Sequence, residues 1–329
     1  MKKVLITGGA GFIGYHLANN LLLSNYKVDL LDNFSRAVED QQLMALEKND
    51  RVNLINEDIL NSEIANKLDS DYEFIYHLAA VIGVQHVLKS PFDVLVKNFL
   101  LLQNTLMIAE KQKKLKRFIF ASTSEVYAGT LKYYGLKFPT IEKTPLTINE
   151  LSEARSSYML SKIYGEAMCL QSGLPITIVR PHNFYGPRMG LSHVVPELMK
   201  KTVESKTGSI DVFSPNHKRT FSYIKDAVNM IQLLAESKLT IGKAYNIGDD
   251  REELRIIELA QKIIDLIDNK ININCLSTTP GSPERRIPSI KKVNQVITYV
   301  KKYPLEEGLK ETFNWYDKYI FSGNEKSAI

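Results

Sequence analysis

The chain has 329 residues, 44% of them hydrophobic and 24% charged, and its 42 basic and 37 acidic side chains leave a formal net charge of +5. That length holds one large or two intimate domains, and the composition lacks the low-complexity tracts and charge excess of a disordered chain. The small, dispersed positive excess argues against a nucleic-acid partner and only mildly favours anionic small molecules. No apolar run approaches the ~20 residues that cross a bilayer, and Met1-Lys2-Lys3 leads at once into a strand pattern. Neither a membrane partner nor a signal peptide is therefore expected, and the protein reads as cytoplasmic. Cys169 and Cys275 show no metal-ligand spacing, so both read as reduced packing thiols and no metal site is expected.

Short β-branched runs at 3–7, 27–32, 52–56, 73–77, 117–121 and 175–180 alternate with helical patterns, the first of them at 12–24. Strand and helix in alternation predict a parallel sheet, with 92–114 and 156–172 long enough to serve as crossover helices. The fold class is doubly wound α/β. After Arg180 the rhythm breaks, because Pro181, Gly186, Pro187, Gly190 and Pro196 crowd one stretch that suits a binding loop. The expected division is a larger lobe of residues 1–180 and 219–249, a smaller α/β substrate lobe of 181–218 and 250–320, and a flexible tail at 321–329. A cleft should lie between the lobes.

Thr7-Gly8-Gly9-Ala10-Gly11-Phe12-Ile13-Gly14 follows the first strand and opens the first helix. Gly8 permits a tight turn, Gly11 lets backbone N–H groups approach a pyrophosphate, and Gly14 allows close packing of helix on strand. Asp32 ends the second strand 18 residues after Gly14, where a carboxylate accepts from both hydroxyls of an adenosine ribose. This is the fingerprint of a Rossmann sheet, and it favours NAD over NADP. Arg36 could meet a 2′-phosphate, but Asp32 would repel that phosphate. Asp58 ends the third strand and reads either as an adenine contact or as a helix cap.

Tyr158-Met159-Leu160-Ser161-Lys162 sets a phenol and an ammonium four residues apart, hence on one helix face. A nearby cation stabilises phenolate, so Tyr158 could take a proton from a sugar hydroxyl while Lys162 holds the nicotinamide ribose. Ser122-Thr123-Ser124-Glu125 stands at the carboxyl end of a parallel strand, where open α/β sheets bind ligands, and Thr123 could share the substrate oxygen with Tyr158. The alternative for these hydroxyls is a loop that caps its own backbone.

On these residues the chain resembles the extended short-chain dehydrogenase/reductases that modify nucleotide sugars, and the resemblance covers nearly its whole length. It rests on the glycine turn, His77-Leu78-Ala79-Ala80, Asn98, Ser122–Tyr127, Tyr158-x-x-x-Lys162, Arg180-Pro181-His182-Asn183, Tyr185-Gly186-Pro187-Arg188 and Arg219-Thr220-Phe221. The resemblance implies NAD in the larger lobe, a nucleoside-diphosphate sugar in the smaller one, and a transient 4-keto sugar. Thr123, Tyr158 and Lys162 would be catalytic. Phe12, Ile13, Asn33, Ile59, Leu78, Ala79, Ala80, Asn98 and Pro181 would join the glycines, Asp32 and Asp58 around the cofactor. Ser124, Asn183, Arg188, His193 and Arg219 would meet substrate, together with Arg285 or Arg286. His77 reads as a packing histidine, whereas His182 and His193 flank the cleft. The two long helices would form a homodimer as a four-helix bundle.

A 4-ketone acidifies its neighbours and so opens epimerisation, water loss or decarboxylation of a uronic acid. The expected outcome is redox-neutral 4-epimerisation. Glu125 keeps a 4,6-dehydratase or a decarboxylase of nucleotide-linked glucuronate as the alternative, with a reductase or dehydrogenase that turns over its cofactor behind them. The interval of 35 residues from Thr123 to Tyr158 is longer than this family's usual loop, with aromatic residues concentrated at 131–138.

Overall fold

The computed structural model describes residues 1–322 apart from Ser62, Asn269, Pro280 and Gly281. Seven parallel strands form the central sheet: β1 (Lys2–Thr7), β2 (Tyr26–Asp32), β3 (Val52–Asn56), β4 (Phe74–His77), β5 (Arg117–Ala121), β6 (Ile176–Pro181) and an edge strand, Lys243–Ile247. Their order is edge strand, β6, β5, β4, β1, β2, β3. Strand order turns back beside β1, which opens a crevice past the carboxyl ends of β1 and β4. Register aligns those ends, since Thr7 stands opposite His77, His77 opposite Phe120 and Ala121 opposite Val179. All five residues of β5 are buried, as a strand covered on both faces requires.

Helix Pro91–Glu110 packs against helix Ser156–Gln171. The first ends four residues before the expected boundary, because the Gln112 side chain donates to Ile108 O at 2.9 Å and accepts from Tyr72 N at 2.9 Å. Such side-chain bonds compete with helix continuation. This helix also corrects the expectation that no apolar run approaches membrane length: it has 20 residues, and an 18-residue window of it has a mean hydropathy of 1.3. Its inner face is committed to the fold, with Val94, Leu102, Leu106 and Ile108 buried.

The smaller lobe is built from helices Val194–Val203 and Ile256–Ile267 and two small sheets. In one, Ser209–Phe213 pairs in parallel with Asn272–Leu276; in the other, Lys218–Thr220 lies between Glu253–Arg255 and Arg285–Arg286. The return to the larger lobe therefore begins with helix Ile224–Glu236, which packs against helix Phe12–Leu23. Cys169 is buried as expected, but Cys275 is exposed on its strand. Phe321, placed in a tail by its sequence, stacks on Tyr316 with ring centroids 5.7 Å apart. Residues 323–329, the rest of that expected tail, lie outside the described residues.

Candidate active site

The glycine turn is a cradle closed on every side but one. Gly8 takes φ +70°, and a Cβ there would stand 2.8 Å from Ala79 N; at Gly14 it would stand 2.5 Å from Gly8 O. Gly11 has more room, its nearest neighbour being Gly8 O at 3.3 Å. Helix Phe12–Leu23 begins here without a side-chain cap or an acidic first turn, so Phe12, Ile13 and Gly14 present N–H groups to an anion. Asp32 accepts from Ala10 N at 3.1 Å and Phe34 N at 3.0 Å. Burial raises its pKa while those backbone donors oppose the shift. Asn33 donates to Asp58 at 3.0 Å, Leu60 N also donates to Asp58, and Ile59 is buried behind them.

Across the crevice, Thr7 Oγ1 meets His77 Nδ1 at 2.9 Å and holds Ala79 N at 3.4 Å. His77 is buried, and burial together with the Lys162 charge lowers its pKa to about 3, which makes it a neutral packing group. Asn98 accepts from Val81 N at 2.7 Å and donates to Val81 O and to Ser161 Oγ. It thereby ties the 78–81 loop, including half-buried Ala80, to the helix that carries Tyr158. A dinucleotide fits these residues: the cradle matches a pyrophosphate, and Asp32 matches a ribose.

Lys162 is buried, with Nζ 2.8 Å from Ala121 O and 5.8 Å from the centroid of the Tyr158 ring. Burial lowers its pKa to about 8, against the opposing charges of Cys169 and Glu166. Gly165 makes this approach possible, since a Cβ there would lie 2.6 Å from Phe120 Cζ. Burial first, and then the Glu125 charge, hold the Tyr158 phenol above its ordinary pKa, while a hydrogen bond from Thr123 and the charge of Arg36 pull it down. Thr123 also caps the short turn Ser124–Tyr127 by accepting from Glu125 N at 3.2 Å.

The two arginines of the 285–286 strand part company. Arg285 is exposed and paired with Glu253 at 2.7 and 2.8 Å, whereas Arg286 turns inward and pairs with Glu125. Arg219 is buried beside it, bonded to Lys218 O at 2.8 Å, Glu284 O at 3.1 Å and Pro283 O. Burial and then Arg286 lower the Arg219 pKa to about 9, with Glu125 opposing. Two cations held this close favour an anion between them. Asn183, at φ 44°, donates to Thr220 O at 2.9 Å. His193 opens helix Val194–Val203 and stays exposed; desolvation and the Arg36 charge lower its pKa. Pro181 ends β6, and Ser124 is buried below Glu125.

Arg188 stands away from this cluster. It is buried, pairs with Asp40 at 2.7 Å, donates to Val38 O, and lies 4.2 Å over the Tyr15 ring. His16 reaches the adjoining Pro187 O at 2.9 Å. The loop after β2 and the first helix are thus fastened to the start of the smaller lobe.

Several participants carried no sequence signal. Glu166 accepts from Ser122 at 2.5 Å and from Arg180 at 2.8 and 2.6 Å, and Arg180 donates to Tyr127 OH at 2.7 Å. This buried network braces the Ser122–Tyr127 turn from behind. Glu166 falls on the Lys162 face one turn later, the one hint available. Arg36 acts on Tyr158 from the cofactor loop, which spacing along the chain does not reveal. Among the described residues, no three His, Cys, Asp or Glu side chains converge to hold a metal.

A sequence model of the NAD-dependent epimerase/dehydratase family matches residues 4–248. UDP-N-acetyl-alpha-D-glucosaminuronate decarboxylase of Bacillus cytotoxicus is 32% identical, over 96% of this chain and 98% of that protein. UDP-glucuronic acid decarboxylase 1 of Xenopus tropicalis is 29% identical, over 96% and 72%. The crystal structure of UDP-glucuronic acid 4-epimerase from Bacillus cereus, with UDP-glucuronic acid and NAD, superposes with a TM-score of 0.82 at 29% identity, covering 96% of this chain and 99% of that one.

Proposed function

Because the chain belongs to the NAD-dependent epimerase/dehydratase family, we propose that it decarboxylates a nucleoside-diphosphate-linked uronic acid through a transient 4-keto sugar. The observation that carries this reading is the inward-turned Arg286, paired with Glu125 two residues beyond Thr123. A uronic acid brings a second anion besides its diphosphate, and Arg286 beside Arg219 is a second cation to receive it. The relatives support the same substrate class, since decarboxylases and a 4-epimerase of nucleotide-linked uronic acids all resemble the chain.

Asp32, the glycine turn, Asn98 and Lys162 would hold the cofactor. When bound, NAD supplies the hydride acceptor and, oxidised, a positive charge that favours phenolate. Tyr158 takes the proton of the 4-hydroxyl, with Thr123 bonded to the same oxygen and Lys162 behind the ring. The resulting β-keto acid loses carbon dioxide. The electron pair of the broken bond passes to the 4-oxygen, where Tyr158, now protonated, and Thr123 donate to the enolate. Arg286 orients the carboxylate, and Glu125, released from its partner and protonated from solvent, passes that proton to C5; Tyr158 then returns its own proton to the 4-oxygen, with the hydride that bound NAD would hold going back to C4. We extend the proposal to a cytoplasmic homodimer, supported by exposed Phe92, Phe99 and Tyr164 on the two long helices.

A second reading, 4-epimerisation, is favoured by one observation: Glu125 is engaged by Arg286 in an ion pair, and Thr123, Tyr158 and Lys162 suffice for hydride return to the opposite face. Mass spectrometry of products from UDP-glucuronate and UDP-N-acetylglucosaminuronate separates the two. Loss of carbon dioxide is expected. An isomer of unchanged mass, or loss of water, would overturn the decarboxylase reading.

A further inference from the structure

The Glu125–Arg286 pair joins two separate elements: Glu125 rides on the turn Ser124–Tyr127, and Arg286 on a strand of two residues. That strand is the edge of its small sheet, paired with Lys218 and Arg219, and a ladder so short holds a strand weakly. The chain just beyond Arg286 is fixed from elsewhere. After helix Ala128–Tyr134 the long interval between Thr123 and Tyr158 runs out to Thr140, whose N donates to Ile287 O and whose O accepts from Ser289 N, both at 2.8 Å.

Thr140 is held in turn by Asn246, a fully buried residue of the edge strand Lys243–Ile247. Asn246 Nδ2 donates to Thr140 O at 2.9 Å, and its backbone N donates to Glu142 Oε1 at 3.0 Å. Tyr127 OH accepts from Arg180 at 2.7 Å and donates its one proton to Asn246 Oδ1 at 2.9 Å. His182 Nε2 meets the same oxygen at 3.2 Å. One amide therefore grips both elements, through Tyr127 the turn that carries Glu125 and through Thr140 the strand that carries Arg286. Only a primary amide offers a donor and an acceptor from one planar group; a carboxylate lacks the donor and an aliphatic side chain lacks both.

We propose that Asn246 is a positioning residue for the reaction, setting the cation that receives the uronic carboxylate against the acid that protonates C5. This rests on the roles given above to Arg286 and Glu125. The rest of the site is held by other bonds. Lys162 is tied to Ala121 O, and Arg219 to Pro283 O and Glu284 O, which lie ahead of Arg286, whereas the bonds to Thr140 lie after it.

The test uses the NAD-loaded protein. Affinities for UDP-glucuronate and for neutral UDP-glucose are measured by calorimetry in a Tyr158→Phe background, where neither is turned over, and carbon dioxide release at saturating UDP-glucuronate is measured with Tyr158 intact. Asn246→Asp keeps the volume and the acceptor but loses the donor to Thr140. It should weaken UDP-glucuronate by about tenfold and leave UDP-glucose within about twofold. Tyr127→Phe cuts the other arm, and should leave both affinities within about twofold while slowing carbon dioxide release by about tenfold. A residue that only stabilises the fold would not divide binding from rate in this way. Equal weakening of both ligands in Asn246→Asp, no weakening of either, or release at the wild-type rate in Tyr127→Phe would overturn the proposal. Should Asn246→Asp not fold, Tyr127→Phe decides alone. Failure of the underlying reading looks different: with Asn246 and Tyr127 intact, UDP-glucuronate would bind no more tightly than UDP-glucose, or would release no carbon dioxide, and the proposal falls with it.

Discussion

Tyr158 and Glu125 do separable work in this site, and substitution should separate them. Tyr158→Phe removes the proton acceptor but none of the cradle, so turnover should fall by about 10²–10⁴-fold with the dinucleotide content of the purified protein unchanged. Steady-state rates beside the absorbance of extracted cofactor check this. Glu125→Gln keeps a hydrogen-bonding amide but loses the proton, and carbon dioxide release should drop by about 10²-fold or more, whereas an epimerase would show little change in isomer formation. Product mass spectra of the variant decide it. Short spacings were legible in the sequence: Gly8, Gly11 and Gly14 follow β1, Asp32 ends β2, and Lys162 reaches Ala121 O at the end of β5 from the helix that carries Tyr158. Arg285 and Arg286 were not distinguishable there, because adjacent strand residues point to opposite faces and the phase is set by pairing with Lys218 and Arg219. Arg188, expected as a substrate contact by motif, pairs through Nε with Asp40, a partner 148 residues away that no local spacing reveals.

At the scale of elements, six of the seven central strands could be read from β-branched runs. Apart from β3, none of whose residues is buried, they are largely buried, β-branched segments, the kind pattern reading reports best. The small sheets of the second lobe escaped it, since strands of two or three residues such as Arg285–Arg286 have no period. Helix Pro91–Glu110 shows the other limit. It carries apolar residues on two sides: one packs toward the sheet, and the other lines a groove shared with Leu160, Tyr164 and Met168. A second copy would cover that groove. Phe99→Asp, facing Tyr164 at a ring distance of 5.9 Å, should give a monomer by light scattering, and a wild type that is already monomeric would dismiss the dimer.

For the molecule as a whole, buried neutral histidines set an acid limit. His16, His77 and His182 have pKa values lowered to about 4, 3 and 3, each chiefly by burial. Each resists protonation when folded, whereas the unfolded chain binds a proton near pH ~6.5. Stability should thus be unaffected by them above that pH and fall as pH drops below it, by about 1.4 kcal/mol per pH unit for each histidine. Urea midpoints taken between about pH 7.5 and 5 measure the slope. Arg188 and Asp40 also join the loop beyond Asp32 to the segment that follows β6. If the dinucleotide leaves past the loop beyond Asp32, lifting that loop breaks the buried ion pair of Arg188 with Asp40. The pairing opposes opening in both directions and so slows exchange, and the chain should keep one dinucleotide through many rounds, as though it were a prosthetic group, emerging from purification already charged.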